Sequence, residues 1–143
     1  MTSSDATTDA RATVLVYSDD VNTRQKVQLA IGRRPAADLP RVEYVECATP
    51  AAVIAALDAG GIDLCILDGE AVPAGGMGVC RQIKDEIYRC PPVLVLIGRP
   101  QDGWLATWSR ADATVSYPLD PVVLANSVAE LLRRVALPAG PVS

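Results

Sequence analysis

The sequence contains no histidine and no phenylalanine, and its 143 residues include only two tryptophans and four tyrosines. Without histidine, the Ser-His and Cys-His nucleophile pairs of common hydrolases cannot form, and the usual zinc ligand sets are incomplete. Any catalysis would therefore have to use carboxylates or a metal. The four cysteines form no CxxC pair, so we interpret them as reduced and mostly buried thiols.

Long apolar runs and an excess of basic residues are also missing. No stretch approaches the ~18 apolar residues of a membrane span, and the N-terminal segment MTSSDATTDARA lacks the apolar core of a signal peptide. The formal net charge is −4, whereas binding to a nucleic-acid backbone requires a clustered basic surface. We therefore expect a cytoplasmic protein that neither inserts into a membrane nor binds nucleic acid directly.

Five units, each a strand-like run followed by a helical pattern, account for most of the chain. The strand-like runs are TVLVY, RVEYVE, IDLCIL, PPVLVLI and ATVSY. Two of the helices have clear start signals, because Thr49 precedes Pro50 and Asp120 precedes Pro121. In each pair a preferred N-cap residue is followed by a proline at the first helical position.

Regular alternation of strands and helices, with three uniformly apolar strands, predicts a doubly wound α/β fold. Its five-stranded parallel sheet would be covered by helices on both faces. The composition, 50% hydrophobic and 21% charged, suits one such domain. We place the domain at residues 12–136, between disordered tails at 1–11 and 137–143.

Acidic residues follow two of the predicted strands. Asp19 and Asp20 come after the first strand and Asp68 after the third, and functional groups of such sheets gather beyond the carboxyl ends of the strands. Grouped carboxylates suit Mg²⁺, and a carboxylate beside that metal can attack a phosphoryl group. The alternative for each acid is a plain role in a loop or a helix cap.

Four segments resemble the receiver domain of bacterial response regulators: VLVYSDDVNTR, ILDGEAVPAGGMGVCRQIK, PPVLVLIG and ADATVSYPLD. The resemblance extends from Ala12 to about Val135 and implies a flavodoxin-like fold with strand order 2-1-3-4-5. It makes Asp68 the phosphoacceptor position. Gly76 stands eight residues further on, which is the family spacing.

The same resemblance implies a set of Mg²⁺ ligands. Asp19 matches the acid that binds the metal directly in the family, beside Asp68 itself. The backbone carbonyl of Glu70, two residues after the phosphoacceptor, is a further ligand. Asp20 is an additional candidate, because one acid of the family pattern after the first strand is either lost or shifted by one residue.

Four positions depart from the family pattern. Ser18 stands in place of an acid, and Ile97 stands in place of a Thr or Ser. Tyr117 replaces the lysine that pairs with the phosphoryl group, and Thr114 replaces the switch aromatic. A hydrogen bond to a charged group contributes ~1.5–3 kcal/mol, so losing the ammonium and the hydroxyl removes ~3–6 kcal/mol from the phosphorylated state. We therefore expect only weak Mg²⁺ binding, and Asp68 as a vestigial or weak phosphoacceptor.

The leading hypothesis is an atypical single-domain response regulator, or pseudo-receiver. It would be a phosphorylation-independent protein-interaction or regulatory module and not an enzyme. The alternative is a phosphorylatable single-domain receiver in a two-component phosphorelay, with Asp68 accepting phosphate from a histidine kinase. A flavodoxin-like cofactor binder is disfavoured, because the acidic loop SDDVN would repel the FMN phosphate. We expect no flavin or nucleotide.

The expected partner is a protein: a sensor kinase, a regulator or a large enzyme assembly. The resemblance implies docking through helix 4, strand 5 and helix 5. Trp104 and Trp108 share one side of the predicted fourth helix and are the only tryptophans. Tryptophan is a favoured residue at binding hot spots, so both are candidates for partner contact. The alternative is that they pack against the sheet.

Overall fold

The computed structural model describes residues 11–72, 74–99 and 102–135. Strands and helices alternate throughout this part of the chain. They are β1 (Arg11–Tyr17), α1 (Val21–Ile31), β2 (Arg41–Cys47), α2 (Pro50–Ala59), β3 (Leu64–Asp68), α3 (Gly76–Glu86), β4 (Val93–Ile97), α4 (Gly103–Ser109), β5 (Ala113–Ser116) and α5 (Pro121–Arg134). The strands form one parallel sheet in the order β2-β1-β3-β4-β5. This confirms the predicted doubly wound, flavodoxin-like fold.

The predicted tails lie almost entirely outside the described residues. The exception is Arg11, which begins β1 and pairs in register with Arg41 of β2. The ordered strand therefore starts one residue earlier than the predicted domain. None of the described helices is long and apolar enough to cross a membrane.

Strands β3 and β4 are buried along their whole length, because helices cover both faces of the sheet. Alternate side chains of a strand point to opposite faces and enter two separate cores. Ile66 and Leu96 pack with α1 and α5, whereas Leu67 and Val95 pack with α2 and α3. The apolar runs of the sequence have no polar alternation for this reason.

Side-chain caps fix where three of the helices begin. Asp20 accepts a hydrogen bond from the Asn22 amide at 2.8 Å, Thr49 caps α2, and Asp120 caps α5. The cap interactions satisfy amides that have no partner within the helix. Each of these helices begins within five residues of the end of the preceding strand, at the carboxyl edge of the sheet where the candidate site lies.

Candidate functional site

Asp68 is the last residue of β3, at the point where the order of strands reverses. Its neighbours in the sheet are β1 and β4, and only 4% of the residue is exposed. The backbone turns immediately afterwards, since the Ala71 amide donates to the Asp68 carbonyl at 3.2 Å. The carboxylate therefore sits inside the mouth of the sheet.

Both oxygens of the Asp68 carboxylate accept hydrogen bonds from within the chain. Oδ1 accepts from the Glu70 amide at 2.9 Å and from the Tyr117 hydroxyl at 2.8 Å. Oδ2 accepts from the Ser18 hydroxyl at 2.8 Å. These three donors are neutral. Ser18 follows β1, which neighbours β3, and Tyr117 follows β5, which lies beyond β4 on the other side. The carboxylate thus joins the ends of β1, β3 and β5.

Ser18 is completely buried, and its hydroxyl, carbonyl and amide each make a hydrogen bond. Its hydroxyl accepts from the Asp20 amide at 3.1 Å while it donates to Asp68. Its carbonyl accepts from the Arg24 guanidinium at 2.6 Å, and its amide donates to the Cys47 carbonyl. Ser18 is therefore a fixed donor, whereas an acid at this position would have repelled Asp68.

Tyr117 immediately follows β5 and reaches Asp68 with its hydroxyl. Partial burial raises the pKa of its phenol well above the ordinary value, and the hydrogen bond to Asp68 raises it further. The negative charges of Asp68, Glu70 and Asp20 act in the same direction. The phenol consequently remains a neutral donor throughout the physiological pH range.

The other candidate metal ligands have separate partners. Asp19 is exposed, and its Oδ1 accepts from the Val72 amide at 3.0 Å. Asp20 caps α1. The Glu70 side chain lies over Gly98, so closely that a Cβ built on Gly98 would be 2.8 Å from its Cδ. These acids surround the mouth of the site without converging on one point.

Among the residues described, no group of three or more histidine, cysteine or acidic side chains could hold a metal ion. Mg²⁺ needs several oxygen ligands in near-octahedral geometry. Asp68 already accepts three hydrogen bonds, and Asp19 accepts one from Val72. As arranged, the two carboxylates that the resemblance assigns to Mg²⁺ are each held by hydrogen bonds within the chain.

The two other positions that differ from the receiver-family pattern, Ile97 and Thr114, lie on β4 and β5. Ile97 is 3% exposed and packs into the core on the side of α2 and α3, so it contributes no hydroxyl to the site. Thr114 pairs in register with Val95 and is partly buried. Neither residue carries an aromatic ring that could move between a buried and an exposed position.

Gly76 supports the site from below, at the start of α3. A Cβ at this position would be 2.8 Å from the backbone carbon and oxygen of Asp68. Only glycine therefore allows α3 to begin against the end of β3.

Tyr17 contacts the loop between β3 and α3, because its hydroxyl donates to the Ala74 carbonyl at 2.5 Å. Burial, followed by the charges of Asp19 and Asp68, raises the pKa of Tyr17.

The two tryptophans are on the surface. Trp104 is 69% exposed and Trp108 is 48% exposed, so neither is a core residue. Arg81 of α3 lies 5.0 Å from the centre of the Trp108 ring and donates to the Trp108 carbonyl at 2.6 Å. Trp108 therefore lies at the border between α4 and α3.

Sequence reasoning treated Ser18 only as a lost acid and missed its hydrogen bond to Asp68. It also missed the position of the Glu70 side chain over Gly98. A signal for the first was present, because a serine beside a buried carboxylate can donate where an aspartate cannot. Nothing in the local sequence indicates the second, since Glu70 and Gly98 belong to different loops.

Comparisons with known proteins agree with this fold. No family model matches the chain. A response regulator from Chloroflexus aurantiacus has a TM-score of 0.73 at 19% identity, covering 87% of this chain and 99% of its own. A two-component response regulator from Clostridium difficile has a TM-score of 0.70 at 20% identity, covering 86% and 97%. At such identities the similarity shows the fold.

Sequence relatives are closer. Two response regulatory proteins of Mycobacterium tuberculosis, from strains CDC 1551 and H37Rv, are each 59% identical to this chain over 120 residues. The alignment covers 84% of this chain and 90% of each relative. Response regulators are signalling proteins. The chain belongs to this family, as a receiver domain of a two-component system.

Proposed function

We propose that this receiver is an atypical one, whose Asp68 is held by hydrogen bonds, and that it acts as a phosphorylation-independent protein-interaction module. One observation carries the proposal: the Ser18 and Tyr117 hydroxyls occupy the two oxygens of the Asp68 carboxylate. The hydrogen bonds link three strand ends. The resting conformation thereby acquires contacts that phosphorylation would have to break.

A reactive phosphoacceptor needs a free lone pair and a positive charge beside it. Three of the roughly four lone-pair sites of the Asp68 carboxylate accept from neutral donors. Among the described residues, no cation donates a hydrogen bond to Asp68 in the place of the family's lysine. The absence of a converging metal-ligand group among the described residues adds to this. We therefore infer that Asp68 is a poor nucleophile in this conformation.

Switching would also be weak if a phosphoryl group did attach. A modification shifts a two-state equilibrium only by the difference in its contacts with the two states. Ile97 offers no hydroxyl and Tyr117 no charge, while Thr114 lacks the switch aromatic. The phosphoryl group would thus find few of the contacts that stabilise an active state.

The proposed partner is a protein, and we expect the surface of α4 to contact it. Trp104 and Trp108 supply the largest exposed aromatic area of that helix. The position of Trp108 beside Arg81 favours an interface that includes the border with α3, in addition to β5 and α5. A sensor kinase, a regulator or a large enzyme assembly fits this role. Cytoplasmic location and the lack of direct nucleic-acid binding are predictions from the sequence.

A phosphorylatable receiver is the second candidate. It is favoured by the position of Asp68 at the end of β3 and by the close approach of Gly76. Asp19 is also exposed at the same edge of the sheet. In this alternative, Tyr117 would swing out when a kinase donates its phosphoryl group to an Asp68 oxygen.

Intact-mass measurement after incubation with Mg²⁺ and acetyl phosphate separates the two candidates. We expect no phosphoryl adduct on the native chain, as on the Asp68→Asn control. Tyr117→Lys restores a cation and is expected to gain an adduct that depends on Asp68. An adduct on the native chain that disappears in Asp68→Asn would contradict the proposal and favour the phosphorelay.

A further inference from the structure

Ser18 donates to Asp68 from a position just beyond the end of a strand. Because β1 ends at Tyr17, the sheet holds Ser18 on one side only, where its amide donates to the Cys47 carbonyl of β2 at 3.1 Å. The Ser18 carbonyl accepts instead from a side chain, the Arg24 guanidinium of α1, at 2.6 Å. A charged donor makes one of the stronger hydrogen bonds available to a carbonyl in a fully buried residue.

Arg24 is itself oriented by a second contact. Its Nε lies 2.8 Å from Oε1 of Glu46, near the carboxyl end of β2, while its Nη1 donates to the Ser18 carbonyl. The Arg24 side chain is 14% exposed and the Glu46 side chain is 42% exposed, so the pair connects the surface with the buried serine. The hydrogen bond from Arg24 is the main cause of a lowered pKa for Glu46. A planar guanidinium can serve two acceptors in fixed directions, which a lysine ammonium does less well.

We propose that Arg24 is a positioning residue, which holds Ser18 so that the serine hydroxyl donates to Asp68. Arg24 acts on the carboxylate through Ser18, because its side chain donates to Ser18 and to Glu46. The role rests on the proposed function and deepens it, since it explains how the hydrogen-bonded arrangement of Asp68 is maintained. A change at the exposed Glu46 therefore reaches the buried carboxylate through Arg24 and Ser18.

A double-mutant cycle followed by carbon NMR of the full chain tests this role. The readout is the resonance of the Asp68 carboxyl carbon at neutral pH, assigned by its loss in Asp68→Asn. Ser18→Ala removes the donor and is expected to shift this resonance. Arg24→Met keeps an apolar stem without the guanidinium and is expected to shift it in the same direction. In the double variant the shift should equal that of Ser18→Ala alone, because Arg24 then has no donor to position.

Two further variants complete the design. Glu46→Ala changes an exposed side chain and leaves the guanidinium in place, so it tests the same link with little risk to folding. It is expected to give a smaller shift of the same direction, which is absent when Ser18 is already alanine. Arg11→Met is the matched control, because Arg11 also pairs with a glutamate of β2, Glu43, at 2.8 Å but begins β1 at the end away from Ser18. It should leave the Asp68 resonance unchanged.

The role of Arg24 is overturned if either single variant leaves the Asp68 resonance unchanged, or if the two shifts add in full in the double variant. Full addition would mean that the Arg24 charge acts on the carboxylate without Ser18. An equal shift in Arg11→Met would also overturn it, because any lost ion pair would then have the same effect.

The NMR cycle uses no phosphoryl donor, so its failure is distinguishable from failure of the proposed function. A phosphoryl adduct on the native chain contradicts the proposed function, whereas the cycle alone decides the role of Arg24. Unchanged or additive shifts overturn that role, while the mass measurement on the native chain still decides whether Asp68 accepts a phosphoryl group.

Discussion

At the scale of single residues, Tyr117 has the largest effect on the proposed chemistry of the site, because it stands where the resemblance to receiver domains places a lysine. A lysine would bring a positive charge to Asp68, whereas Tyr117 brings a neutral hydroxyl at 2.8 Å. A neutral donor satisfies the buried carboxylate without making it ready for a phosphoryl group. The same residue thus stabilises the resting fold and removes the charge on which phosphorylation would depend.

We predict that Tyr117→Phe lowers the free energy of unfolding by about 1.5–3 kcal/mol at neutral pH, because a buried carboxylate loses a donor. The raised pKa of Tyr117 adds a dependence on pH. The unfolded phenol ionises near pH ~10 while the folded phenol stays protonated, so the contribution is complete below pH ~10 and declines above it. Urea unfolding from about pH 8 to about pH 11 measures both effects.

Tyr88→Phe is the matched control, because Tyr88 is 85% exposed and should change neither quantity. Burial also raises the pKa of Tyr17 and Tyr44. These two residues will therefore produce part of the decrease in the free energy of unfolding at alkaline pH in every variant. The Tyr117→Phe curve should therefore be flatter than the native one without being level. Identical slopes for the two proteins would contradict the assignment.

At the scale of elements, the contact between the start of α3 and the end of β3 holds the site together. Gly76 allows the helix to begin against the backbone of Asp68, and Gly75 approaches the Gly69 carbonyl in the same way. The glycine found at the family spacing therefore has a steric role that is independent of phosphorylation. It would be needed in a receiver that never accepts a phosphoryl group.

We predict that Gly76→Ala destabilises the protein by about 1–3 kcal/mol, since the new methyl group would overlap the Asp68 backbone. Gly78→Ala is the control in the same helix, because nothing lies within 4 Å of its Cβ position. That variant should be neutral or more stable by about 0.5–1 kcal/mol, as alanine favours a helix interior over glycine. Thermal or urea unfolding of the pair provides the test, and equal effects would refute the steric role.

At the scale of the whole molecule, a buried, hydrogen-bonded Asp68 is combined with exposed aromatic side chains on the surface. Trp104 and Trp108 lie on one face of α4, and Arg81 covers part of the second ring. A stacked guanidinium keeps a half-exposed tryptophan in one orientation. Such a preformed aromatic surface suits binding to a protein without a prior activation step, because few side chains lose conformational freedom on association.

We predict that Trp104→Ala and Trp108→Ala each weaken capture of the native partner by about 2 kcal/mol, as expected for hot-spot residues. Their cost to folding should be within about 1 kcal/mol, because Trp104 is largely exposed, Trp108 is about half exposed, and only Trp108 stacks on Arg81. Pull-down from native cells, beside melting temperatures, makes the comparison. Tyr88→Ala is an exposed aromatic control outside α4 and should capture normally. A parallel loss of folding and capture would show that the tryptophans are structural.

The sequence by itself determined the order and kind of the elements. Apolar runs marked the strands, and Thr49 with Pro50 and Asp120 with Pro121 marked two helix starts that the structure confirms. Such signals act over a few residues, so they can be interpreted without the fold. The same local pattern located Asp68 at the end of a buried strand.

Only the tertiary structure decided what surrounds that carboxylate. Ser18 and Tyr117 are separated from Asp68 by 50 and 49 residues along the chain, and the sheet alone brings their hydroxyls to its two oxygens. The ion pair of Arg24 likewise joins it to Glu46, 22 residues further along the chain. Hydrogen-bond partners depend on side-chain directions set by packing between distant segments, whereas local spacing determines only which element a residue joins.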